Sequence, residues 1–141
     1  MKKLYFILSI LALQFVFVGQ MAAQAQKTLV RSIALEGRLE LLASLPGQVE
    51  LQVWDKDFAR LQTIVAVENC QQVILDRLVA VGRYEIALED MGTAYKIIMP
   101  KGQKVVKLRG QALEEEMKFI LYIPQKVATE IENLAHNNSD L

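Results

Sequence analysis

The sequence predicts an α+β protein: a mostly antiparallel β-sheet or sandwich with one short helix over residues 70–81, following a cleaved N-terminal signal peptide. Three observations carry this. Apolar residues alternate with polar ones in several short runs, one stretch alone repeats at helical spacing, and the first residues follow the pattern of an export leader. Division of the chain follows directly: residues 1–25 as signal peptide, 26–132 as a single β-rich domain, 133–141 as a flexible polar tail.

The leader is the most specific element. Lys2 and Lys3 precede an apolar run over residues 4–18, and Ala23-Gln24-Ala25 places small residues two apart before a polar stretch. A run of this length is short for a membrane span, so cleavage between Ala25 and Gln26 is expected; uncleaved, it would be the chain's one contact with a membrane. Cys70, the single cysteine, lies far from the cut and cannot take a lipid there. Alone in an oxidising compartment, it forms no internal disulfide; it reads as a small buried hydrophobe, with a reactive thiol as the alternative.

Beyond the leader, residues 31–42 alternate around Gly37 and form one bent strand or two. Val49, Leu51 and Val53 alternate with Gln48, Glu50 and Gln52, the period of a half-buried strand. Residues 61–67 and 94–99 are short apolar runs rich in β-branched residues, and Tyr84, Ile86 and Leu88 alternate again. Turn signals at Leu45-Pro46-Gly47, Asp90-Met91-Gly92 and Pro100-Lys101-Gly102 predict hairpins pairing 84–89 with 94–99, and 94–99 with 103–109. Met117, Phe119, Leu121 and Ile123 face one way; Lys118, Ile120 and Tyr122 face the other.

Helical spacing appears once, where Ile74, Leu75, Leu78 and Val79 fall along one side of a helix. Asn69 is the expected N-cap, Gln72 its capping-box partner, and Gly82 the left-handed stop. The body that remains, about 116 residues, suffices for one core without staples.

Charge excludes one function class. Removing the leader takes two of the 16 basic residues and none of the 16 acidic ones, leaving a body of net charge −2 with the signs interleaved, which argues against nucleic acid as a partner. Lys101, Lys104, Lys107 and Arg109 read as a solvated strand face. Catalytic inventory is equally bare. His136 is the only histidine and lies in the polar tail without acid or nucleophile neighbours; Glu114-Glu115-Glu116 would point to alternating faces and form no cage. No catalytic residue, cofactor site or metal site is expected, and the chain reads as no enzyme. Asn137-Asn138-Ser139 matches a glycosylation acceptor by its three-residue pattern alone.

Trp54 sits on the face of its strand opposite Val49, Leu51 and Val53, so it either covers a second packed layer or is exposed as a recognition aromatic. Tyr122 likewise opposes its strand's main apolar face. These two are the candidate interaction surface.

The run Leu45-Pro46-Gly47-Gln48-Val49-Glu50-Leu51-Gln52-Val53-Trp54-Asp55-Lys56 resembles the opening strands of the family of bacterial envelope proteins known as the putative adhesins, whose function is largely unknown. Gly82-Arg83-Tyr84-Glu85-Ile86 after a Leu-rich helix, and Tyr122-Ile123-Pro124-Gln125-Lys126, are similar in style to further features of those proteins. Members usually continue into a β-solenoid of Gly, Ser, Asp and Asn-rich turns; no such repeat occurs up to Leu141. The resemblance implies a non-enzymatic envelope module, and the Ala-Gln-Ala-Gln end of the leader is similar to exported proteins of Bacteroidetes-like bacteria. The expected location is therefore the periplasm or cell surface of a Gram-negative cell. The leading expectation is an adhesin-like structural or interaction module binding an envelope protein or surface polymer through a sheet face or edge strand. The alternative is a carrier holding a small apolar ligand in a cavity lined by Val73, Leu78 and Ile86.

Overall fold

The computed structural model describes residues 23–133. Residues 1–22 of the expected leader over 1–25, together with His136 and Asn137-Asn138-Ser139, lie outside the described residues. The elements run in the order β1 (Gln24–Ile33), β2 (Glu40–Leu45), β3 (Gln48–Trp54), β4 (Ala59–Glu68), α1 (Gln72–Ala80), β5 (Ala87–Asp90), β6 (Ala94–Ile98), β7 (Lys107–Leu108), β8 (Gln111–Ala112), β9 (Glu115–Pro124) and β10 (Ala128–Asn133). Residues 31–42 thus resolve into two strands, broken where Glu36 and Gly37 both take positive φ.

Two four-stranded sheets, ordered β1-β4-β9-β3 and β10-β2-β6-β5, share one core, and β7 pairs with β8 in a separate small hairpin. Period two dictates what enters the core. On β4, Ala59, Leu61, Thr63, Val65 and Val67 are all buried; on β9 so are Phe119, Leu121 and Ile123, with Leu41, Ala43, Leu45 and Ile97 from the other sheet. Cys70 is buried too, and desolvation raises its thiol pKa, which disfavours the nucleophilic thiolate.

The α+β class and the sheet with one helix are as the sequence predicts, but three pairings are parallel: β3 with β9, β10 with β2, and β2 with β6. The hairpin of β5 with β6 forms, though its first strand begins at Ala87 rather than at Tyr84, which is still in the turn after α1. The second expected hairpin does not, because β2 occupies the other side of β6. Residues 99–106 instead form a loop, so Lys101 and Lys104 do not stand on a strand face. The expected cut between Ala25 and Gln26 falls within β1, where Gln24 and Ala25 pair with Glu68 and Val67 and Ala25 is buried.

Helix α1 begins two residues later than expected. Asn69 takes a left-handed turn (φ 51°) rather than capping, and Gln71 is the N-cap residue with no side-chain bond. Gln72 is engaged elsewhere: its side-chain amide donates to the Gln26 carbonyl and accepts from the Gln26 N–H, which occupies part of the free edge of β1. Gly82 does end the helix with φ 73°.

Immediately after that glycine, Arg83 turns inward. Its Nε donates to Glu115 Oε1 at 2.8 Å, Nη2 to Glu115 Oε2, Nη1 to the Lys101 carbonyl at 2.9 Å, and Nη2 also to the Lys104 carbonyl at 2.7 Å. Tyr84 Oη donates to Glu115 Oε1. Burial, reinforced by the Glu115 carboxylate, raises the Tyr84 hydroxyl pKa well above the ordinary tyrosine value. Glu115 is thus no member of a solvated acidic triplet. Its side chain is 9% exposed and that of Arg83 5%, so neither charge has bulk water as an alternative partner.

Two predictions follow from this geometry. Arg83→Met should lower unfolding free energy by about 3–5 kcal/mol in chemical denaturation, because it leaves the buried Glu115 carboxylate without its cation, and adding Glu115→Leu should recover much of the loss. A single-variant cost below about 1 kcal/mol would mean that the pair behaves as an exposed one. Gly47→Ala should cost about 1–3 kcal/mol, since overpacking forces backbone shifts; a Cβ there would stand 2.3 Å from the Met117 carbonyl oxygen. Unchanged stability would show that the turn joining the sheets shifts freely.

Candidate functional site: an aromatic cluster beside a groove

Strand register decides which outward side chains meet. Gln52 lies opposite Tyr122 and Trp54 opposite Pro124 across β3 and β9, while Arg60 lies opposite Tyr122 across β4 and β9. Trp54 and Tyr122 are therefore diagonal neighbours, within reach of each other's rings. Their centroids are 5.2 Å apart, tilted by 35°.

Two residues that the sequence reading passed over complete the cluster. Phe58 packs edge-on against Trp54 at 5.0 Å, and its carbonyl accepts from Trp54 Nε1 at 2.8 Å. Arg60 lays its guanidinium 5.0 Å from the Trp54 ring centroid and 5.8 Å from that of Phe58, with its Nε buried and unpartnered among the described residues. Phe58 had a sequence signal in its position four residues after Trp54 across the polar turn Asp55-Lys56-Asp57; Arg60 had none, since its place depends on β9 inserting between β3 and β4.

Trp54, Phe58 and Tyr122 are all half-buried, the intermediate case between a second core layer and an open platform. Beside Trp54 runs a groove of about 510 Å³, walled by Leu35, Leu39, Pro124 and Val127, with Asp55, Lys56, Asp57, Gln125 and Lys126 exposed around it. Arg38 forms part of its wall and stacks over the Tyr95 ring at 3.9 Å. The Arg38 guanidinium is held by Asp90 and, at 3.4 Å, by Glu36, which in turn accepts from Tyr95 Oη at 2.7 Å. This wall is braced from behind.

The chamber expected of a carrier is not assembled from its named residues: Val73 is 53% exposed on α1, whereas Ile86 is buried. Glu115 and its neighbours divide between faces, Glu114 and Glu116 outward and Glu115 toward Arg83. Among the described residues, no group of three or more His, Cys, Asp or Glu side chains converges as metal ligands.

A scan of family models matches none, including for the regions that resemble the adhesin family, and a search of characterised proteins finds no match. Among solved structures, the chain is similar to one described as a "putative cell adhesion protein" from Clostridium sporogenes ATCC 15579, with a TM-score of 0.41 and 13% identity over 75% of this chain and 45% of that one. This chain thus spans less than half the length of that protein.

Asp90, which holds Arg38 behind the groove wall, is a titrating group. The Gly92 N–H, followed by Arg38, holds the Asp90 carboxyl below its ordinary pKa. A depressed folded-state value adds stability that is present above the unfolded pKa of about 4 and lost as pH falls through the folded one. Asp76, bonded to Lys27, and Glu132, bonded to Ser44 and Lys96, act in the same direction. Thermal unfolding should therefore be nearly flat between about pH 7 and 5 and fall off below about 4, with Asp90→Asn showing a shallower acid limb. Superimposable acid limbs would remove Asp90 from the linkage.

Proposed function

We propose that this chain is an exported, non-enzymatic module of the bacterial envelope, adhesin-like in role, that captures an envelope protein or surface polymer at the Trp54–Tyr122 cluster and the adjoining groove. The observation that carries the reading is that an apolar-walled groove opens directly beside a half-buried aromatic cluster and is ringed by exposed carboxylate, ammonium and amide groups. Aromatic surface supplies contact area at low entropic cost, and the mixed polar rim orients a ligand by hydrogen bonds. The leader pattern of Lys2, Lys3 and the apolar run supports export, to the periplasm or surface of a Gram-negative cell.

The engagement of the ionisable groups supports a non-enzymatic role. Arg83 and Tyr84 both donate to Glu115, and Arg38 is bound by Asp90 and Glu36, so these six side chains serve the scaffold. No cofactor enters this reading, and the interleaved charge pairs, such as Lys27 with Asp76 and Lys96 with Glu132, favour neither a nucleic acid nor a strongly charged partner.

The test is affinity capture from the host's envelope fraction with the tagged protein, read by mass spectrometry for protein and by glycan analysis for polymer. Trp54→Ala should reduce capture at least about tenfold, a loss of about 1.4 kcal/mol, while its circular dichroism matches the parent. Retained capture by the folded variant would dismiss the site; unfolding would place Trp54 in the core, and Lys126→Glu at the groove rim would then carry the test.

A further inference from the structure

We infer that the free edge of β3 is a self-association site, at which two copies of this chain pair antiparallel about a two-fold axis through Leu51. The sheet edges are protected to different degrees, and Trp54 of the capture site ends the most open of them.

An unpaired strand edge presents a row of N–H and C=O groups ready to accept another strand, and natural edges are normally blunted. On β1, the Gln72 amide occupies the N–H and C=O of Gln26. β5 is only four residues long and carries exposed Glu89 and Asp90. β10 carries the exposed charges Glu130 and Glu132. Among the described residues β3 has none of these protections: it runs for seven residues with one charge, no lysine and no proline. Its apolar set, expected to be half-buried, is largely uncovered at the sheet edge, with Leu51 39% and Val53 61% exposed.

The occupant follows from the strand's own order of residues. Read antiparallel about Leu51, Gln48-Val49-Glu50-Leu51-Gln52-Val53-Trp54 is complementary to itself. Val49 faces the partner's Val53, Leu51 faces the partner's Leu51, Glu50 faces the partner's Gln52, and Gln48 faces the partner's Trp54. A parallel in-register pairing would instead set Glu50 directly against its own copy, a destabilising like-charge contact, whereas the antiparallel one sets each carboxylate against an amide donor. Gln52 Nε2 already donates to Glu50 Oε1 at 3.0 Å within one chain, so the same two groups are suited to bond across the axis. Pairing joins the two β1-β4-β9-β3 sheets edge to edge and turns the exposed valine and leucine positions into one continuous apolar strip.

The experiment expresses the full-length chain and follows its mass against concentration by sedimentation velocity. The parent should dimerise, Leu51→Lys should raise the dimer dissociation constant at least about tenfold, and Leu51→Cys should form a disulfide-linked dimer under mild oxidation. Val30→Cys, at an exposed position of β1, should form no disulfide-linked dimer, and the parent's buried Cys70 should remain a thiol. A parent that is monomeric up to about 1 mM, or a dimer indifferent to Leu51→Lys while Leu51→Cys stays reduced, would overturn the inference. Circular dichroism checks the lysine variant; if it misfolds, the cysteine pair decides alone.

Discussion

The Arg83–Glu115 pair joins parts of the protein that no strand pairing connects. Arg83 follows the glycine that ends α1, Glu115 opens β9 in one sheet, and the carbonyls of Lys101 and Lys104 belong to the loop leaving β6 in the other. Guanidinium geometry makes this possible, because three nitrogens diverging in one plane can address a carboxylate and two carbonyls together, which an ammonium on a flexible stem cannot do. Each partner is buried, so the arrangement is held less by net attraction than by the absence of any solvated alternative for the groups involved. The loop over 99–106 takes its course from these bonds rather than from a neighbouring strand. Lys101 closes the circuit by donating through Nζ to the Val81 carbonyl at 2.9 Å, next to the end of α1.

With helix, loop and β9 tied together, the sheets can afford unusual connectivity. β9 inserts between β3 and β4, which are consecutive in sequence, and the turn 55–58 must therefore bridge across the end of β9. That crossing places Trp54, Phe58, Arg60 and Tyr122 in one cluster and leaves the groove beside it. It also pushes β3 to the sheet edge, where its apolar face lacks the cover that alternation alone would suggest. The aromatic cluster and the open strand edge are thus two consequences of a single topological choice. Pairings over such sequence separations are costly to close, and the fold accordingly belongs among those expected to form slowly.

Elsewhere among the described residues three short-range ion pairs form: Lys27 with Asp76, Lys118 with Glu116, and Lys96 with Glu132. Exposed pairs of this kind contribute little stability. Their effect is to leave a surface without a dominant sign, so the groove's selectivity would come from shape and hydrogen bonding more than from long-range attraction.

The sequence by itself determined what local physics controls. Alternation located β3 and β9 and sorted the two faces of β9, so Phe119 and Leu121 inside and Tyr122 on the opposite face were legible in advance; apolar β-branched runs located β4 and β6, helical spacing located α1, and Gly82 marked its end. It also placed Trp54 and Tyr122 opposite their strands' main apolar faces, because side-chain period does not depend on neighbours. Tertiary structure decided everything that depends on which strands become neighbours. Parallel pairing of β3 with β9 leaves no mark in either segment; it brings Trp54 to 5.2 Å from Tyr122, and together with the antiparallel pairing of β4 with β9 it recruits Arg60. Glu115 looks like its neighbours Glu114 and Glu116 in sequence and differs only because an arginine from a distant turn reaches it. Local propensity acts over a few residues, whereas pairing and burial are settled by the whole chain competing for the same edges and the same core.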